Sequence, residues 1–539
     1  MIMKKRVISM ILIVTILMSG LVMTGCGKKQ VKGENTLTVG INQNSNITSF
    51  DDNAFTKWLE QTTGADIQFV YFSSSGSEAI QQLALTASAG KELPDVMLGF
   101  HEMSHYLVNQ YGEDGYFADL TSLIDQYGTN YKAALEKLPD DYREFIQKKA
   151  LNTNTGEIYA MPISLCSAID DMQNMMFINK TWLDELGLQA PTNIDELYNV
   201  LHAFKTKDPN GNGKEDEIPM LGGSLGKSND IMTYIINAFI YFSDANHDNV
   251  TDGKVWDPLI TDEFRQALIY ANKLVDEGLL SDMCFSLSAR SDFVNLISPS
   301  SGEGKVGIFC GYPNSYFNVQ TDEAKNYVAL GSLADETGKG GYTVVDPSPL
   351  FWCCYISSSC QNKELAMKLI DTLYSDESIM RARHGEKDVD WTYGEGISPY
   401  GTKAYVNLVN GQAFIEGNST WGKNPAGIMT HENYIPVYVE GEGTLAEFSR
   451  LQKETWDIME KAVQPEERAI HLLYTQEEYE IREEYHSTVT HYYREQVNSF
   501  IAGKLDPSDD AAWDDYKATL YRIGRDKLLE VAQSAYDRK

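Results

Sequence analysis

Cations are scarce in this 539-residue chain. Its 45 Lys and Arg stand against 77 Asp and Glu, giving a formal charge of -32 at pH 7. Such a balance argues against a nucleic-acid partner, whose phosphates it would repel. Cysteine is scarce too: there are seven, with no CxxC pair and no dense framework. That argues against a disulfide-stapled scaffold and against a cysteine-based zinc module. Cys166, Cys284, Cys310, Cys353, Cys354 and Cys360 are expected as buried thiols, with room for one disulfide that spacing does not assign. The chain contains no G-x-x-x-x-G-K-[ST], so it lacks the usual phosphate loop. No internal repeat and no long low-complexity run is visible. Beyond the N-terminus no stretch is long and apolar enough to span a bilayer.

What is present describes a large globular protein. Hydrophobic residues make up 42% and charged residues 23%, so a sizeable core is available. The length implies several domains or one bilobal body. At the N-terminus, Lys4, Lys5 and Arg6 precede an apolar run from Val7 to Met18, too short to span a membrane comfortably. Leu21-Val-Met-Thr-Gly-Cys26 follows and looks like a lipobox, with Met23 where leucine is preferred. Residues 1–25 are therefore expected to be a signal peptide. Cys26 would be the lipidated mature N-terminus and 26–35 a tether. Two acyl chains on Cys26 would hold the protein at the extracellular face of the bacterial cell membrane, where one chain alone is marginal.

Strand and helix patterns then alternate. Thr36–Ile41, Ala65–Phe72 and Pro94–Phe100 read as strands, and Phe55–Thr63 and Glu78–Ser88 as helices. This alternation predicts βαβ units and a mostly parallel sheet, whose ligands sit beyond the carboxyl ends of the strands. The loops 43–46, 73–77 and 101 onward are thus candidate ligand loops. Thr192 and Asp195 resemble a capping box ahead of Leu197, Val200, Leu201 and Phe204 at helical spacing. Thr261 and Thr475 read as further caps, Lys305–Gly311 and Leu350–Ser357 as strands, and Asp514–Tyr536 as a last helix.

The sharpest metal signature is Asp208-Pro-Asn210-Gly-Asn212-Gly213-Lys214-Glu-Asp216-Glu217. Oxygen donors fall at positions 1, 3, 5 and 9 of an EF-hand-type loop, with glycine at 6 and a backbone carbonyl at 7. Pro219 occupies position 12, so Glu217 is the available bidentate carboxylate. Asp244, Asn246, Asp248 and Asp252 repeat the spacing without the glycine, and a polar turn is the better reading there. His101-Glu102-Met-Ser-His105 matches H-E-x-x-H, which on a helix would present two zinc ligands and a general base. Its longer continuation is absent, and Glu113 or Glu136 would have to be the third ligand. The adjacent pairs Asp140-Asp141 and Asp170-Asp171 cannot span a glycosidic bond as neighbours. Aromatic residues are 11% of the chain, and flat rings beside amides and carboxylates suit sugars. Asn44, Phe100, His101, Tyr312, Trp352, Trp391 and Trp421 are the candidate ligand contacts; Trp58, Trp182 and Trp513 are expected in the core.

Several stretches, among them GEIYAMP, FINKTWLDELGLQAPTNIDELYNVLHAFKTKDPNGNGKEDEIPM, STWGKNPAG and the tail from Leu472, resemble extracellular solute-binding proteins of family 1. The resemblance is to lipoproteins serving sugar ABC transporters, with alginate-oligosaccharide-binding proteins as relatives. It implies a two-lobed α/β, periplasmic-binding-protein-like fold with discontinuous lobes and a hinge. Residues 36–160 plus 300–350 would form one lobe, and 161–299 plus 351–539 the other. It also implies a structural Ca2+ held by Asp208, Asn210, Asn212, the carbonyl of Lys214, Asp216 and Glu217. The expected function is capture of an oligosaccharide by a monomer and its delivery to ABC permease subunits, without bond chemistry. The alternatives are a secreted zinc hydrolase using His101, Glu102 and His105, or a peptide-binding or sensor protein of the same fold.

Overall fold

The structure is a computed structural model. It describes residues 33–45, 47–165, 175–244, 248–318, 320–335, 337–338, 340–344, 350–394, 406–408, 418–422, 426–429 and 443–539. The expected signal peptide, Cys26 and most of the tether lie outside the described residues, as do Asn46, Cys166, Asp170, Asp171 and Asn246. Among the described residues no helix is long and apolar enough to cross a membrane.

Short-range chemistry sets the elements. Asn53 accepts from the Phe55 N–H to open the helix Ala54–Thr63, and Gly64 closes it at φ 78°, a conformation that glycine adopts without a Cβ clash. Thr261 caps Asp262–Asp276, which buries Phe264, Ala267, Leu268, Ala271 and Leu274 on one stripe. Thr475 and Glu478 form a reciprocal capping box at the start of Gln476–Ile501. Two expectations shift. The cap of Ile194–Thr206 is Asn193, which accepts from the Glu196 N–H, while Glu196 reaches back to Thr192. The expected last helix is two, Asp510–Arg522 and Arg525–Tyr536. The break falls at Gly524, at φ 106°, where a Cβ would lie 2.1 Å from the Tyr485 ring.

The strands are β1 (Thr36–Asn42), β2 (Asp66–Phe72), β3 (Val96–Leu98), β4 (Met161–Leu165), β5 (Met176–Asn179), β6 (Ile218–Leu221), β7 (Asn249–Thr251), β8 (Lys254–Trp256), β9 (Val306–Cys310), β10 (Tyr327–Ala329), β11 (Leu350–Ile356), β12 (Trp391–Tyr393), β13 (Val406–Leu408) and β14 (Gly427–Met429). They form a sheet ordered β14-β4-β11-β3-β1-β2, a second ordered β10-β5-β9-β6, and the ribbons β7-β8 and β12-β13. In the first sheet only β11 runs against its neighbours β3 and β4. In the second only β5 does, against β9 and β10. Both are strands that begin where the chain arrives from the other sheet. Each therefore starts at the edge where its parallel neighbours end.

This is the expected two-lobed α/β architecture built from discontinuous segments, with one correction. Residues 306–310 and 327–329 belong to the second sheet, and 350–356 and 427–429 to the first. The cores agree: Ile308, Phe309 and Tyr327 pack with Phe177 and Phe204, while Cys354, Ile370 and Ile428 pack with Val39 and Ile163. A buried apolar strand satisfies its backbone beside any open partner, so its sequence pattern does not say which sheet it joins. The chain crosses between sheets after β4, after β10 and again after β14.

The helix Gln476–Ile501 links the two bodies. Val489, Tyr493, Val497 and Phe500 are buried in the second core. Its first turn reaches the first body, where Asn109 Nδ2 donates to Gln476 Oε1 at 3.1 Å and Tyr479 lies 4.8 Å from the His105 ring. All five described cysteines are buried and none forms a disulfide.

Candidate functional site

The carboxyl ends of β1, β2 and β3 release the loops 43–50, 73–75 and 99–104 side by side. Asn42, the last residue of β1, joins them: its Nδ2 donates to Ser73 O at 2.9 Å and its Oδ1 accepts from the Phe100 N–H at 3.4 Å. Gly99 faces that oxygen at φ 103°, and a Cβ there would sit 2.9 Å from it. The loop after β1 is stapled from behind by residues 418–422. Asn418 accepts from the Ser49 N–H, its carbonyl from the Ala54 N–H, and Thr420 O from Asn53 Nδ2. Trp421 fills the space beneath, 3% exposed, edge-on to Phe55 at 4.9 Å and donating to Thr56 Oγ1 at 2.9 Å.

In front of this loop lies a cleft of about 470 Å³, lined by Gln43, Asn44, Ser45, Ser49, Tyr71 and Ser74 among others. That is within the range of small-molecule sites. Tyr71, at the end of the edge strand β2, is 42% exposed. It donates to Asp51 Oδ2 at 2.5 Å, and burial together with that carboxylate pushes its phenol up to about 12. Further along the same edge the His101 ring stacks on Phe351, centroids 6.1 Å apart, with Phe351 37% exposed. The reversed direction of β11 puts Phe351 there, because β11 starts where β3 and β4 end.

The seven candidate ligand contacts separate accordingly. Asn44 and His101 lie on the first sheet's carboxyl edge. Tyr312 lies, half-buried, just past the carboxyl end of β9 in the second sheet. Phe100, Trp352, Trp391 and Trp421 are 1–4% exposed. Phe100 and Trp352 belong to the core behind the edge, and Trp391, in β12, donates to the O of Gly385, which caps the helix Asp376–His384. Rings this large gain more from full burial than from half-exposure. Tyr71, Asp51 and Phe351, which the structure places along this edge, are not among the sequence candidates. Tyr71 adjoins the loop 73–77, which was a usable signal; Phe351 sits in a continuous apolar run that hides which side faces out.

The 208–217 loop follows the helix Ile194–Thr206 directly. Asp208, at φ 46°, accepts from the Asn212 and Gly213 N–H groups. Asn210 accepts from Asn212 N–H, and Asn212 from Lys214 N–H. Asp216 accepts from Asn212 Nδ2 at 3.0 Å and pairs with Lys305 at 2.7 Å, and these partners hold its carboxyl down to about 2. Glu217 differs: its Oε1 is buried without a hydrogen-bond partner. Burial, Asp208 and Asp216 raise its pKa. Oxygen donors converging on an orphaned, self-repelling carboxylate fit a hard cation in donor type. As placed, no three His, Cys, Asp or Glu among the described residues form a ready metal cluster. The second oxygen-rich loop is committed elsewhere, with Asp244 on Arg494 and Tyr493 and Asp248 on Arg525.

The zinc-hydrolase expectation loses its geometric premise. Ser104 caps a helix that begins only at His105, so His101 precedes it and the two imidazoles do not share a helical face. His105 is 8% exposed, its Nε2 accepts from Asn109 Nδ2 at 3.1 Å, and burial pushes it down to about 3. Glu113 accepts from Asn152 and Asn154, and Glu136 pairs with Arg143.

Comparison with known proteins bears on this geometry. The sequence pattern of the family described as bacterial extracellular solute-binding protein matches residues 43–380. The fructooligosaccharide ABC transporter substrate-binding protein FusA of Streptococcus pneumoniae is 26% identical over 495 residues, covering 89% of this chain and 86% of that protein. An HMO-binding, ABC-transporter-associated solute-binding protein from Bifidobacterium longum infantis superposes with TM-score 0.76 at 23% identity, over 94% of this chain and 99% of that one. A FusA EF-hand mutant in complex with fructo-nystose superposes with TM-score 0.73 at 22% identity, over 93% and 99%.

Proposed function

The chain belongs to the bacterial extracellular solute-binding proteins, and on that premise we propose that it is the carbohydrate-capturing component of an ABC importer. The observation carrying this reading is the chemistry offered at the carboxyl ends of the strands. The carboxyl ends of β1–β3 present amides, hydroxyls, Tyr71 and the His101–Phe351 stack, and the carboxyl end of β9 presents Tyr312. Sugar hydroxyls suit the first set and sugar faces the rings. The FusA relative is named for fructooligosaccharide, which supports an oligosaccharide ligand. Closing the two lobes about the crossings would hide that ligand and offer one closed surface to permease subunits. The protein breaks no bond in this reading. Lipid on Cys26 would keep a monomer at the extracellular membrane face.

Calcium would be structural. Asp208, Asn210, Asn212, the Lys214 carbonyl, Asp216 and Glu217 would hold it, and its charge would relieve the repulsion on Glu217 and fix the link from Ile194–Thr206 to β6. The description of one FusA structure as an EF-hand mutant is in keeping with this. The deciding experiment is a thermal-shift screen of the mature protein against oligosaccharides and peptides, since a ligand of the native state raises Tm. A shift with oligosaccharides alone is expected. A shift with peptides alone overturns the proposal in favour of a peptide-binding protein of the same fold.

A further inference from the structure

The cleft beside Tyr71 has a charge character that the oligosaccharide reading leaves unspecified. Its lining is made of Gln43, Asn44, three serines, a threonine and aromatic or aliphatic side chains, with neither Lys nor Arg among the described lining residues. Among the described residues, carboxylates lie beside it or in the adjoining loops. Asp51 holds the Tyr71 hydroxyl. Glu78 accepts from Ser73 Oγ at 2.7 Å in the adjoining loop. Glu102 lies against Gly76, where a Cβ would meet its side chain at 2.4 Å. The nearest lysine in sequence, Lys57, is paired with Asp52 on the helix behind the loop.

We infer that this is a subsite for neutral sugar residues and that Asp51, through Tyr71, selects against uronic acids. The inference rests on the carbohydrate reading above. A neutral ring finds amide and hydroxyl partners of both polarities here. The Asp51 carboxylate, already accepting from Tyr71, has lone pairs left for a sugar hydroxyl. A uronate carboxylate finds no cation among the described lining residues and has the Asp51 carboxylate beside Tyr71 as a like charge, on a chain whose formal charge is -32. In the second lobe Lys227 lies on a loop, and Arg290 opens the helix Arg290–Ile297 and is engaged with the Ser315 carbonyl.

The test is calorimetric titration of the mature chain with two length-matched probe sets, neutral fructo- and galacto-oligosaccharides and oligogalacturonates, at low and high salt. Neutral oligomers are expected to bind. Uronates are expected to bind about tenfold or more weakly at low salt, a gap that narrows as salt screens the wall. Asp51→Asn, at an exposed position, is expected to narrow the gap between neutral and uronate affinity by about two- to fivefold. Uronates binding as tightly as neutral oligomers, or Asp51→Asn leaving the gap unchanged, overturns the inference and spares the carbohydrate reading. Failure of both probe sets to bind sinks that reading and this inference with it.

Discussion

Replacing Trp421 with phenylalanine separates a buttress from a sugar platform. The indole is 3% exposed and lies 4.9 Å from Phe55, 5.7 Å from Phe50 and 5.8 Å from Phe69. Its N–H donates to Thr56 Oγ1, which in turn donates to Phe50 O at 2.7 Å. Trp421→Phe keeps most of the apolar contact but leaves Thr56 without its donor in a dry setting, costing about 1–3 kcal/mol. The missing ring adds about 1 kcal/mol for unfilled volume. A loss of about 2–4 kcal/mol in ligand-free protein is therefore expected, and about 3–5 kcal/mol for Trp421→Ala. Urea unfolding followed by far-UV circular dichroism, without sugar, measures it. Tyr71→Phe is the control, expected within about 0.5 kcal/mol because that ring is largely exposed. Pairing Trp421→Phe with Thr56→Val isolates the hydrogen bond, with an expected coupling of about 1 kcal/mol. The reasoning is refuted if Trp421→Phe leaves ligand-free stability unchanged yet abolishes oligosaccharide binding, since the ring would then be acting on the ligand.

Other outcomes follow from named groups. Calcium at about 100 times its Kd should stabilise the protein by about 2.7 kcal/mol, seen as a raised Tm that chelator reverses while sugar binding persists. Glu217→Gln should weaken calcium affinity in a titration, and an unchanged affinity would remove Glu217 from the ligand set. Acid should destabilise the fold early, because burial pushes His105 and His384 down to about 3 and His471 and His486 to about 4, from a usual 6.5. The unfolded chain then binds more protons than the native one below pH 6.5. The contribution of these imidazoles is full above that pH and is lost as pH falls toward 3–4. A melting series from pH 7 to 4.5 should decline less steeply for His105→Gln than for the parent.

Much of the molecule was legible in the chain because it is made by near neighbours. The caps at Thr261 and Thr475 and the turns of the 208–217 loop draw their hydrogen bonds from within a few residues. Spacing alone therefore located them, and the family resemblance rested on the same stretches. The alternation of strands and helices likewise announced an α/β body.

Long-range pairing decided the rest. Which sheet 306–310 and 350–356 enter depends on the hydrogen-bonding edges left open by segments some 130 to 190 residues away, and an apolar pattern is the same in either sheet. The direction of β11 put Phe351 rather than Trp352 at the open edge, and residues 418–422 made Trp421 a wedge rather than a platform. Sequence determined that there would be two lobes, an oxygen-rich loop and a polar set of strand-end loops. Only tertiary structure decided which aromatic rings those loops leave accessible, because exposure is a property of what packs against a residue and not of the residue itself.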